Sequence, residues 1–507
     1  MEHLKEDNLN ILSIWFSKII GIAVPLISIP ILMSALGLEV FGLWQLSAQL
    51  AAALLFLDLG VTNASVRIFS KIENAKGELS SLKATMIVFA AVSMFLFLIA
   101  GPVAYFLDTQ LEVYPASIET SFYLFFACFI FAGTCIPFRI FTAFLYSRHR
   151  YVFVHVVEAL SNIVKLVTLY FLNSSGDLTL TTTFLTIFGC QFLAVFLHFC
   201  FVLSKEKNLF VLSLFEKANK KDLFLLLKQS IASVKVTVGA VLLNSGFLFY
   251  LGYNKDFALI ALVSLAFYLI SNLTPFFQSF VTVMVPRASK IRNNEQQQAV
   301  IDGIVQAINM SMVPFYFIAC NVWYFGYVVF EIWLPLDNYS NNFASDLGQL
   351  LAVMIAVYAL TLFSNSVRAL ILGAGDFKKP GNLDIASALF GLTVAVICHE
   401  YGLGIMSVAV GYSLTLIVRL ILYFKLLVQL TGISVNIVLN SIAEAFLFGM
   451  LMLLVGLLPY PGYDLNYQIF GLTIIDMQAG LAILVIFCLA MLKNKDLYIS
   501  FFAKKNA

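Results

Sequence analysis

The chain has 507 residues, 61% apolar and only 11% charged, with a formal net charge of +2 and a mean hydropathy of +0.94. Soluble globular chains carry about 25% charged and 45–50% apolar residues, so this composition excludes a soluble fold and reads as a polytopic membrane protein. The small net charge gives no reason to expect nucleic acid as a partner.

A spanning helix needs about 20 mainly apolar residues. That criterion predicts spans at 11–36, 40–66, 84–107, 120–146, 153–172, 181–203, 229–250, 256–284, 299–325, 347–372, 381–399, 404–424, 437–458 and 476–492. The opening MEHLKEDNLN leads into a run too long for a signal-peptide core, so no cleavable signal is expected. The expected fold is all-α, with about 14 transmembrane helices. Cys128, Cys135, Cys190, Cys200, Cys320, Cys398 and Cys488 lie in or beside apolar segments with no C-x-x-C pattern, and read as free thiols.

Orientation follows from Lys and Arg. The segments 67–83, 147–152, 204–228, 285–298 and 375–380, with both ends and Lys425, hold 23 of the 30 basic residues and are expected to be cytosolic loops. The outer loops hold only Lys255, beside Asp108, Glu112, Glu119, Asp177, Asp337, Asp346 and Asp464. Both termini are therefore expected in the cytosol. Trp44, Trp323 and Trp333 fall near the outer boundary and read as an interfacial belt.

The remaining basic residues, Lys18, Arg139, Lys165, Lys235, Arg368 and Arg419, lie inside spans. A charge at a helix centre costs about 2.5–3.5 kcal/mol on insertion scales, so an interior partner or wet cavity is expected for each. For Lys18 and Lys235 the competing reading is snorkelling, because both lie about two turns from the cytosolic end, and Arg419 reads as a snorkelling residue outright.

The chain also repeats itself. SIWFSKIIGIAVPLIS (13–28) matches SIASVKVTVGAVLLNS (230–245), pairing Lys18 with Lys235. ASVRIFSKI (64–72) resembles VMVPRASKI (283–291), and RIFTAFLYSRHR (139–150) resembles RALILGAGDFKK (368–379). Helices 1–6 and 7–12 are thus expected as two six-helix lobes in parallel repeat, 1–205 and 206–428. Residues 429–507 add two helices and a cytosolic tail. A cleft between such lobes is where a transport site would lie.

Polar stripes support an internal cavity. Glu158, Ser161, Asn162, Lys165 and Thr168 share one face of the fifth predicted helix, and Thr361, Ser364, Asn365 and Arg368 one face of the tenth. The eighth carries Ser264, Tyr268, Ser271, Pro275, Ser279 and Thr282. Each Ser or Thr alone is as readily helix–helix glue. A Lys165–Glu158 ion pair competes with a functional role for both. Several bases on one cavity imply an anionic substrate, with Lys18, Lys235, Arg139, Arg368 and Lys165 as the binding set.

No phosphate-binding G-x-x-x-x-G-K-[ST] sequence is present, and GAGDFKK (373–379) lacks its spacing. An ion gradient, or the substrate's own, would then drive transport. Asp58, Glu158, Asp384 and Glu444 are candidate proton or sodium carriers. Asp58 reads equally as a hydrogen-bonded packing node, and Asp384 as a solvated residue at the cytosolic mouth. No cofactor beyond a coupling H⁺ or Na⁺, and no metal, is expected.

LSIWFSKIIGIAVPLISIPILMSALGLEVFGLWQL, then FLDLGVTNASVR and VTVMVPRASKI, resembles the polysaccharide-transport flippases that move O-antigen and oligosaccharide repeat units. That family shares a superfamily with the multidrug/toxin extruders and the lipid II flippases. The resemblance implies paired six-helix lobes around a cationic cavity. It implies transfer of an undecaprenyl-pyrophosphate-linked oligosaccharide from the cytosolic to the outer leaflet of the cell inner membrane. It places Lys18 and Lys235 at the cavity-facing basic positions of the first helix of each lobe, and Asp58 at the acid of the D-x-G element. Membrane lipids, glycosyltransferases and a polysaccharide polymerase are the partners implied. Lipid II flippases typically show Arg-Asp on the first helix, whereas here Ile19 follows Lys18, which argues against a peptidoglycan precursor. The alternatives are a cation-coupled multidrug exporter and a membrane-embedded polysaccharide polymerase or ligase. An enzyme would need an outer loop with catalytic residues, and the longest outer segments, 326–346 and 459–475, contain no basic residue.

Overall fold

A computed structural model of the chain describes residues 2–58, 61–69, 75–111, 118–215, 219–282, 294–335, 343–373 and 378–431, with short pieces between 447 and 487. The helices are α1 (Glu2–Leu36), α2 (Leu38–Leu55), α3 (Val61–Phe69), α4 (Ala75–Leu111), α5 (Ile118–Ser147), α6 (Tyr151–Ser175), α7 (Leu180–Phe215), α8 (Lys220–Tyr253), α9 (Phe257–Thr282), α10 (Asn294–Trp333), α11 (Phe343–Gly373), α12 (Lys378–Glu400) and α13 (Met406–Thr431). Among the described residues, nine helices are long and apolar enough to span a membrane. Val238–Tyr253, Phe257–Leu273 and Phe343–Ala359 are shorter apolar helical stretches. The chain is an all-α, multi-pass membrane protein; the β pairing among the described residues is a hairpin of Gln468–Ile469 with Leu472–Thr473. The predicted spans 437–458 and 476–492 lie largely outside the described residues.

Large side chains that face outward are mostly apolar, among them Phe16, Leu98, Tyr105 and Phe171. This is what lipid as solvent selects. Helix ends follow local chemistry. Gly37, at φ 74°, breaks α1 from α2 while its N–H reaches the Met33 carbonyl at 3.0 Å. Gly176 closes α6 in the left-handed conformation, where a Cβ would be strained.

Two departures from the sequence reading matter. The expected single span 40–66 is broken: α2 stops at Leu55, a 3₁₀ turn covers Phe56–Asp58, and α3 starts at Val61. The expected loop 204–228 is helical on both sides of 216–218, with α7 changing direction at Glu206 (φ −127°, ψ 28°) and running on to Phe215. LFVLSLF has enough apolar residues to keep a helix going beyond its lysine-rich stretch.

The chain divides into two compact units. The first comprises Met1–Thr237 and Leu248–Ala261, and the second Val238–Phe247 and Leu262–Ala507. In the first, α4 packs on α5, α5 on α7 and α6 on α7; in the second, α10 packs on α11, α11 on α13 and α12 on α13. The same three pairings therefore recur six helices later. Half-buried aromatic rings cluster in the first unit: Phe138 meets Phe192, Phe196 and Phe199 with ring centroids 5.3–6.0 Å apart. Trp44 belongs to this kind of packing and not to an interfacial belt. It is 3% exposed, with its ring 5.6 Å from Phe188.

Candidate functional site

The first unit holds an open cavity of about 810 Å³. α1 contributes Ser17, Lys18 and Gly21; the 3₁₀ turn contributes Asp58; α5 contributes Arg139, Thr142 and Tyr146. One face of α6 supplies His155, Glu158, Ser161, Asn162 and Lys165, and α7 supplies Gln191 and His198. Of the polar stripe read on this helix, Thr168 alone is turned to another use, bonding back to the Val164 carbonyl at 2.9 Å.

Arg139 is held through one nitrogen. Its Nη1 donates to Asp58 Oδ2 and to the Leu55 carbonyl, both at 3.1 Å. Leu55 is the last residue of α2, so the guanidinium satisfies a carbonyl orphaned by the helix break and sits at the negative end of that helix. Thr62 Oγ1, one residue into α3, donates to the same Asp58 oxygen at 2.7 Å. Asp58 is 7% exposed and holds both partners through one oxygen.

The other cations are differently placed. Lys165 Nζ donates to Asn162 Oδ1 at 2.8 Å, and Glu158 Oε2 lies 3.1 Å from His155 Nδ1. The expected competitor, a Lys165–Glu158 pair, is not formed. Among the described residues Lys18 has no carboxylate partner, although it lines the cavity. With Arg139 neutralised by Asp58, the ammonium groups of Lys18 and Lys165 face the same space as a single further carboxylate, Glu158.

His155, His198, Thr142, Tyr146 and Gln191 were not singled out from the sequence. His198 is 1% exposed; Thr142 Oγ1 lies 3.0 Å from its Nδ1, and its Nε2 has no hydrogen-bond partner. The readable signal was Gln191 and His198 two turns apart on an otherwise apolar helix.

The second unit holds a smaller cavity of about 140 Å³, lined by Gly239 and Asn244 of α8, Tyr358, Thr361, Asn365 and Arg368 of α11, Asp384 and Ser387 of α12, and Thr415 and Arg419 of α13. Asp384 is its centre. Oδ1 accepts from Tyr423 OH at 3.0 Å and meets Arg419 Nη2 at 3.0 Å; Oδ2 lies 3.4 Å from Arg368 Nε. Two expectations are corrected. Asp384 is not solvated at a mouth but 4% exposed, because α8 reaches it at Gly239 and Tyr423 covers it. Arg419 does not snorkel but is 8% exposed and ion-paired.

The structure thus gathers Lys18, Arg139, Lys165, Asp58 and Glu158 around one cavity and Arg368 with Asp384 around another. Lys235 is half-buried on α8 and lines neither. Of the stripe on α9, Ser264 is buried and Ser271 bonds back to the Tyr268 carbonyl, while the side chains of Pro275, Ser279 and Thr282 lie outside the described residues, as does Glu444.

No protein-family profile matches the chain, and no curated protein matches it. Solved structures do. The chain superposes on the lipid II flippase MurJ in an inward closed conformation with TM-score 0.66 and 14% identity, covering 97% of this chain and 99% of that one. An inward-facing multidrug resistance transporter of the MATE family and MOP superfamily gives TM-score 0.67 and 14% identity over 80% of this chain and 93% of that one. A MOP superfamily transporter from Pyrococcus furiosus gives 0.54 and 15% over 84% and 96%. The chain has the fold of these transporters.

Proposed function

We propose that the protein is a flippase that carries an undecaprenyl-pyrophosphate-linked oligosaccharide from the cytosolic to the outer leaflet of the cell inner membrane, with both termini in the cytosol. It works by ion-coupled alternating access and performs no covalent chemistry. The observation that carries this reading is the cavity of the first unit, where Lys18 and Lys165 are free of carboxylate partners and Arg139 stands beside them. A pyrophosphate head needs such a group of cations in a partly dry space, where charge-assisted contacts are stronger than in water. The oligosaccharide would meet the polar rim of Ser17, Asn162, Gln191 and Tyr146 while the prenyl tail stays in lipid. Glu158 is the carboxylate left to bind a coupling H⁺ or Na⁺, since Asp58 and Asp384 are both engaged by arginine. Glycosyltransferases would supply the cargo and a polymerase would consume it.

A drug-cation exporter of the same fold would want an excess of cavity carboxylates, and bases exceed acids here. The test is leaflet exposure of a labelled lipid-linked oligosaccharide in proteoliposomes. Each charge-assisted contact is worth about 1.5–3 kcal/mol, so Lys18→Ala with Lys165→Ala is expected to slow flipping at least about tenfold. Unaltered flipping by the double variant, or efflux of organic cations that survives it unchanged, rejects the assignment.

A further inference from the structure

The cluster around Asp384 carries an uncompensated charge. Two guanidiniums, Arg368 and Arg419, face one carboxylate, and among the described residues no other carboxylate lines the cavity. Tyr423 contributes a neutral hydroxyl that is already donated to Asp384. An excess unit charge held in a low-dielectric interior is costly unless a counter-charge joins it. The donors left over point the same way. Arg419, more than nine-tenths buried, has an Nε–H without an acceptor, and Arg368 Nε approaches Asp384 without hydrogen-bond alignment. The cavity they line, about 140 Å³, is several times the ~10–15 Å³ a single water requires. Asn244, Thr361 and Asn365 add neutral polar groups around it.

We propose that this cavity is a binding site for one small monovalent anion, held between Arg368 and Arg419, for which chloride and bromide serve as probes. The charge count decides the valence: one negative charge brings the cluster to neutrality, whereas a dianion would reverse the imbalance. Asp384 engages one nitrogen of each guanidinium, Nε of Arg368 and Nη2 of Arg419, which leaves further N–H donors of both to a second anion. The site shares no lining residue with the larger cavity and does not depend on what the protein transports. Arg368 is thereby reassigned, from cargo binding to a partner of Asp384 and the bound anion.

The test uses the full-length protein in detergent at constant sodium and ionic strength, with gluconate replaced stepwise by chloride or bromide. An ion bound only by the folded state raises the apparent melting temperature, here by about 1 °C near tenfold its dissociation constant and further at higher concentration. Arg419→Gln leaves a neutral Arg368–Asp384 pair and is expected to abolish the rise. Asp384→Asn doubles the excess charge and is expected to enlarge it, an effect that a purely structural triad would not produce. If either variant fails to fold, crystals of the wild type grown in bromide are expected to show an anomalous peak between the two guanidiniums. A wild-type melting temperature indifferent to chloride, a dependence unchanged in both variants, or an anomalous map without that peak overturns the proposal.

Discussion

Arg139 spends its charge inside the protein. One nitrogen of its guanidinium holds Asp58 and the end of α2, and the pair is mostly shielded, with 28% and 10% of the two side chains exposed. Removing one partner of a buried pair strands the other, and the residual exposure of Arg139 moderates the loss to about 1–3 kcal/mol. Asp58→Asn should therefore lower the melting temperature, and adding Arg139→Gln should cost less than the sum of the two single losses, a coupling that a double-mutant cycle in detergent measures. Both residues were visible in the sequence as polar groups in apolar runs. Their pairing was not, because 81 residues separate them (139 − 58) and nothing in local pattern links a turn after α2 to the middle of α5. The sequence accordingly offered Arg139 as a cargo ligand and Asp58 as either a coupling acid or a packing node, with no link between the two. His198 and Tyr423 escaped notice for the opposite reason: each stands nearly alone among apolar neighbours, and only its tertiary contacts give it a role.

At the scale of elements, eleven of the twelve spans that hydropathy predicts between residues 11 and 424 each fall on one helix, because the bilayer imposes their length, and the exception is 40–66, broken at Phe56–Asp58. The helical extensions beyond the bilayer were missed, since water does not demand apolar runs and amphipathic turns look like loops. Close crossings were also illegible. Gly391 and Ala395 on α12 meet Gly411 and Thr415 on α13, a spacing of four on each helix that lets the backbones approach. A Cβ at Gly411 would press on Ala395 and on the Gly391 carbonyl. Gly411→Val should then destabilise by about 1–3 kcal/mol through overpacking, while Gly189→Val, at a position with no atom within 4 Å of the new Cβ, should leave the melting curve nearly unchanged. Equal effects of the two would show that the crossing tolerates separation. The repeat runs deeper than its first three matches: Arg139, Glu158 and His198 stand 229, 226 and 225 residues before Arg368, Asp384 and Tyr423 (368 − 139, 384 − 158, 423 − 198). Each unit places an arginine, an acid and a ring at corresponding points and wires them differently.

For the molecule as a whole, the distribution of Lys and Arg predicts which end of each helix meets the cytosol, and labelling tests it. The turn at Lys255 should react with a membrane-impermeant maleimide added outside cells when Lys255→Cys is placed in a cysteine-free background. Arg150→Cys, in the turn between α5 and α6, should react only after permeabilisation. The reverse pattern would invert the protein and the direction proposed for its cargo. The geometry at Arg139 bears on that cargo too. A phosphate that draws Nη1 toward itself unfastens the Leu55 carbonyl and the Asp58 carboxylate in the same instant. If the proposed cargo takes that nitrogen and not the free Nη2 or Nε, occupancy of the cavity and the bend after α2 compete for a single atom, and a filled cavity is felt along the backbone.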